Sequence, residues 1–211
     1  MKTDQRLQKL KSFIETIDFT LFPDRPLQTR ILTEKQAYVV SETYFHTKKG
    51  QQMVDRTFFA LMEQRIQHQS RNQPFQYLPF RYSINPFAHN WELFPDDYAL
   101  ASIAAHEVRH RVQYELAWRT LPKPQCVTLR KAFHERNERL RAIIKRDYAN
   151  YSRMSQLEEL DATFIGTYFE ELLYKAFPRR DQTIETEHLA EVLREHWNLF
   201  FWKNVHLGRK V

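Results

Sequence analysis

Glycine is nearly missing from this chain, with 3 in 211 residues. Tight hairpins and left-handed turns depend on glycine, so a sheet-rich fold with many short turns is disfavoured. Loops that cradle phosphate need glycine for close backbone approach, and no G-x-G-x-x-G or P-loop pattern is present. Helices joined by irregular loops are the expectation. Hydrophobic residues make up 42% and aromatics 14%. That supplies one sizeable core, and the length suits a single domain over residues 1–211.

Apolar spacing predicts a helix over 4–18, with Leu7, Leu10, Ile14 and Ile17 on one face, stopped by "LFPDRP" at 21–26. The β-branched and aromatic run "QAYVVSETYFH" (36–46) reads as a strand. "QMVDRTFFALMEQRIQ" (52–67) reads as a helix, with Met53, Phe58, Leu61, Met62 and Ile66 near one face. "YLPFRYSI" (77–84) reads as a second strand, confined by Pro79 to an edge or a bulge. Four helices follow, over about 97–119, 128–151, 155–177 and 186–202. The first opens on Asp96-Asp97, whose carboxylates suit free backbone N–H groups. The third opens on Ser155 and Glu158, an S-x-x-E capping box.

The single Cys126 excludes an intramolecular disulfide and a Cys-rich zinc knuckle. The N-terminal "MKTDQRLQKLKSFIE" is charged from the start and does not read as a signal peptide. No apolar run approaches a membrane span. A cytoplasmic protein without a membrane partner is the expectation.

The helix over 97–119 carries "SIAAHEVRHRVQ" (102–113). Positions i and i+4 share a helix face, so His106 and His110 can present two ring nitrogens to one ion. Glu107 lies about 100° around the axis. It can reach a metal-bound water from the side and take its proton without being a ligand. Ala101, Ala104 and Ala105 permit close packing on neighbours.

A catalytic zinc takes three protein ligands and keeps one position open. The downstream candidates for the third are Glu158, Glu159 and Asp161. Glu158 has a role in the capping box. Asp161 is a ligand candidate or an acceptor for a ligand. Glu159 has no local explanation, and it shares a face with Ala162, Thr163 and Gly166, small enough for a helix to lie close to its partner. Glu159 is therefore preferred, with the other two as alternatives.

"HEVRH" followed some 50 residues later by "ELDA" resembles the zincin metallopeptidases, and within them the gluzincins, whose third ligand is a glutamate on a later helix. The resemblance covers these two helices only. It implies an α+β, mostly helical zincin-like domain with a small N-terminal sheet and an HExxH active-site helix. It implies Zn²⁺ held by His106, His110 and Glu159, Glu107 as catalytic base, and a peptide or protein as substrate. The longer metzincin signature is absent, since "RVQYEL" follows His110. Arg109 and Arg111 replace residues that are usually uncharged in these peptidases. Arg109, about 60° from the ligand face, is placed to meet a substrate carboxylate or pair with a glutamate. Arg111 reads as a solvent-side residue. The strand over 77–84 is a candidate edge along the substrate cleft.

The formal charge is +6 and "RKAFHERNERLRAIIKR" (130–146) is rich in Arg and Lys. Nucleic-acid binding is the functional reading of that stretch. A solvated face is preferred, because Glu135, Glu138 and Asp147 are interspersed at pairing distances. Two alternatives to a peptidase stand beside it: a basic binding protein without enzymatic activity, and a zincin-like domain that holds metal without cleaving peptides.

Overall fold

The computed structural model describes residues 3–44, 53–67, 76–89, 91, 94, 96–119, 153–178, 183–196 and 200. These form an α+β arrangement: α1 (Thr3–Leu21), β1 (Thr29–Ile31), α2 (Glu34–Tyr44), β2 (Ala60–Gln67), β3 (Gln76–Ile84), α3 (Asp97–Arg119), α4 (Arg153–Ala176) and α5 (Thr186–His196). The helix expected over 128–151 and its basic face lie outside the described residues. So do Trp197, Phe201 and Trp202 of the last expected helix. No described helix is long and apolar enough to cross a membrane.

The sheet has the order β1-β3-β2, with β1 parallel and β2 antiparallel to β3. One face buries Ala60, Met62, Tyr82 and Ile84 in the main core with α1, α3, α4 and α5. The other carries a smaller cluster of Leu32, Ala37, Val40 and Phe58 under α2.

Three local expectations fail here. Residues 36–44 are helical instead of a strand. Thr33 and Gln36 form a reciprocal cap: the Thr33 N–H donates to Gln36 Oε1 (3.0 Å) and the Gln36 N–H donates to Thr33 Oγ1 (3.4 Å). Ala37, Val40 and Ser41 then face inward at helical spacing. Residues 60–67 are a strand instead of a helix, because pairing with β3 from Ala60↔Ile84 to Gln67↔Gln76 outweighs the local pattern. Finally, α4 begins at Arg153, so Ser155 lies inside the helix and not at its N-cap.

β3 is central, and β1 and β2 are its two edges among the described residues. Pro79 is accommodated at a bulge, where the register shifts between Glu63↔Arg81 and Gln64↔Pro79. Among the described residues β1 pairs with residues 82–84 and Pro79 has β2 alone as a strand neighbour.

α3 begins as expected, with Asp96 Oδ1 accepting from the Ala99 N–H at 3.0 Å. It runs through the core, against α1 and the sheet, with α4 alongside. Arg111 is no solvent-side residue. It is 1% exposed, and its Nη1 donates to Asp18 Oδ1 (2.6 Å) and Oδ2 (2.5 Å) on α1. Tyr82 Oη and the Leu27 N–H complete the shell around Asp18. The guanidinium lies 3.8 Å from the centre of the Phe22 ring. This buried pair fixes α3 against α1 and the sheet one residue beyond His110.

Candidate metal centre

α3 and α4 approach closely because both present small residues. Ala101, Ala104, Ala105 and Ala162 are fully buried. A Cβ on Gly166 would stand 2.6 Å from the Ser102 carbonyl oxygen and 3.4 Å from the His106 Cβ. Gly166 is needed here for its lack of a side chain.

That approach brings Glu159 on α4 over the two histidines of α3. The Nε2 atoms of His106 and His110 are 3.1 Å apart. Glu159 Oε2 lies 3.2 Å from His106 Nε2, and Oε1 lies 3.4 Å from His110 Nε2. Donors held ~2.0–2.1 Å from one ion at the tetrahedral angle are about 3.3–3.4 Å apart, so this spacing fits a single small cation. Among the described residues these three form the one group of His, Cys, Asp or Glu suited to a metal ion. The described histidines His89, His188 and His196 do not join it.

The charges are shared. Burial disfavours the His110 cation, but the adjoining Glu159 carboxylate outweighs it and pushes the imidazole up to about 10. Burial likewise disfavours the Glu159 anion, and the positive charge of His110 with hydrogen bonds from both rings holds its pKa well below the usual carboxylate range. The Glu159 carboxylate that favours positive charge on His110 would equally favour a divalent cation held between them.

Glu107 is 5% exposed and faces the same cavity. Burial raises its pKa, and the Met62 N–H of β2 donates to the carboxylate. Its Oε2 is buried with no hydrogen-bond partner among the described residues.

Arg109 and Asp161 are not among the residues that line the cavity. Arg109 donates through Nε to Asp161 Oδ2 (2.7 Å) and through Nη2 to Oδ1 (3.2 Å), and through Nη1 to the Phe200 carbonyl. Its guanidinium is thus committed to the protein interior and does not face a substrate. Asp161 is an acceptor in this network and not part of the donor triad. The side chain of Glu158 lies outside what is described.

A cleft of about 570 Å³ opens over these groups. Helix α3 gives Ser102, Ile103, His106, Glu107 and His110, and α4 gives Glu159, Thr163, Gly166 and Thr167. The opposite wall is Thr57–Leu61, the entry to β2. Phe59 is held there edge-on by Trp91 (5.0 Å between centroids) and Phe94 (4.6 Å). The wall expected from residues 77–84 is therefore supplied by β2, the segment whose apolar pattern reads as a helix.

No protein-family model, curated protein or solved structure matches the chain.

Proposed function

We propose that this protein is a zinc-dependent hydrolase of zincin-like fold, with a peptide or protein as substrate. His106, His110 and Glu159 would hold Zn²⁺, in keeping with the preference of that ion for imidazole and carboxylate donors in a tetrahedral set with one position open. A zinc ion bound there supplies Lewis acidity, polarising a carbonyl and making water a nucleophile near neutral pH.

The chain's own residues do the rest. The Met62 N–H donates to the Glu107 carboxylate, and Glu107 Oε2 has no hydrogen-bond partner among the described residues, which suits it to accept a proton beside the histidines. Burial raises the Glu107 pKa, which suits a base that takes a proton from the attacking water and returns it to the leaving amine. Phe58, Phe59 and Ile103 form an apolar wall that excludes bulk water and suits an apolar substrate side chain. β2 borders the cleft and is one of the two edge strands among the described residues, so an extended peptide can lie along it.

The observation that carries this reading is the coincidence of three donors at tetrahedral spacing with a buried, unpartnered carboxylate oxygen on the same cleft. Glu107→Gln separates metal binding from hydrolysis. The variant should keep one zinc per chain and lose turnover of casein and of quenched fluorescent peptides. Zinc-loaded wild-type protein that cleaves none of these would leave a metal-binding domain without peptidase activity.

A further inference from the structure

We propose that Gln113, oriented by Asp161 and Arg109, is a positioning residue that fixes His110 as the Nδ1–H tautomer and so aims its Nε2 lone pair at the metal. The inference rests on the metal-centre reading above and extends it to Gln113 and Asp161, which lie outside the H-E-x-x-H pentapeptide.

Gln113 lies one turn after His110 on α3 and is 3% exposed. Its Oε1 is 3.0 Å from His110 Nδ1, and its Nε2 donates to Asp161 Oδ2 at 2.7 Å. A glutamine amide has an acceptor end and a donor end of nearly equal size, so its orientation must come from its neighbours. Asp161 supplies that choice. Both carboxylate oxygens take hydrogen bonds from Arg109, so both act as acceptors. Turning the amide over would set Gln113 oxygen against Asp161 oxygen in a buried site, with neither able to donate. The NH₂ end therefore faces Asp161 and the oxygen faces His110.

An amide oxygen only accepts, so His110 Nδ1 must carry the proton. In the neutral ring that leaves Nε2 with its lone pair, pointing at the spot shared with His106 and Glu159. The network also spans the two ligand-bearing helices, since Arg109 and Gln113 are on α3 and Asp161 is on α4. A hydrogen-bond acceptor behind a metal-bound histidine typically changes metal affinity by ~10–100-fold.

The test is competition for Zn²⁺ against a chromophoric chelator, with folding followed by circular dichroism. Gln113→Met keeps the volume and removes both amide functions, and its zinc affinity should fall about ten- to hundredfold. Asp161→Asn removes the group that orients Gln113, and its affinity should fall less, because an Asn amide can meet either orientation. In zinc-loaded protein with ¹⁵N-labelled histidine, the His110 Nδ1–H should exchange slowly in wild type and lose that protection in Gln113→Met. A network serving only to join α3 and α4 would leave this proton unmoved. Folded Gln113→Met with wild-type zinc affinity and a protected Nδ1–H overturns the proposal. Should Gln113→Met not fold, unchanged affinity and protection in Asp161→Asn overturn it instead. Wild-type protein that takes up no zinc, or His106→Ala that binds it as tightly as wild type, would refute the metal centre itself, which is a distinguishable result.

Discussion

Gly166→Ala tests the close approach of α3 and α4 on which the whole site depends. The added Cβ would lie 2.6 Å from the Ser102 carbonyl oxygen and 3.2 Å from Ser102 Oγ. Carbon–oxygen contacts settle at about 3.3–3.6 Å, so the two backbones must separate by roughly 0.7 Å. The hydroxyl can rotate away, but the carbonyl is fixed in the α3 backbone. Overpacking of this kind costs about 1–3 kcal/mol. Replacing glycine by alanine within a helix returns about 1 kcal/mol, so the net loss of stability is about 0–2 kcal/mol. The separation falls beside the His106 Cβ, 3.4 Å from the new methyl. Glu159 sits two turns earlier on the same face of α4. The donor spacing of 3.1–3.4 Å should therefore widen and zinc affinity fall about tenfold or more, even where stability changes little. Urea denaturation of the metal-free protein and a zinc titration read the two effects separately. A variant more stable by about 1 kcal/mol, with unchanged zinc affinity, would refute the reasoning, because helix propensity would then act alone.

Two other perturbations probe the frame behind the site. Arg111→Met leaves the Asp18 carboxylate buried without its cation, and should destabilise the protein by about 3–5 kcal/mol in chemical denaturation. The double variant Asp18→Leu, Arg111→Met should recover much of that, and failure to recover any would mean the pair does more than offset its own burial. Burial would raise the pKa of Glu63, but Ser83, Arg81 and Arg30 outweigh it and hold it below its ordinary value of 4.5. A depressed carboxylate pKa contributes stability above the unfolded value and loses it as pH falls through the folded one. The stability gap between wild type and Glu63→Gln should therefore shrink as pH drops from about 6 to about 3, and a constant gap would contradict the assignment.

What the sequence discloses of this fold is mostly what is local. The helix over Asp97–Arg119, its acidic start and the i, i+4 histidines are all set by spacing along one element. The small face of Ala162, Thr163 and Gly166 points to close packing, which Gly166 against Ser102 shows, and Glu159 lies beside both histidines; the capping box that sets Glu158 aside does not form at Ser155. What stayed hidden depends on distant partners. The pattern of β2 satisfies a helical period as well as a strand, and only pairing with β3 decides it. In α2 the β-branched pair Val39-Val40 suggested a strand, while the overriding signal was the Thr33–Gln36 cap just upstream. Arg111 reads as solvated until Asp18, 93 residues away, is seen against it. Gln113 offers one local cue: it lies three residues after His110, within reach of its ring.

X-ray absorption at the zinc edge, on protein stripped of metal and reloaded with one equivalent of Zn²⁺, tests the central claim most directly. The arrangement of His106, His110 and Glu159 predicts one tightly held zinc per chain, with nitrogen and oxygen donors at ~2.0–2.1 Å and outer-shell scattering from two imidazoles. In His106→Ala and Glu159→Ala that signature should be lost. Protein that retains no zinc, or zinc whose spectrum is unchanged in both variants, would contradict the assignment of this cluster as a metal centre.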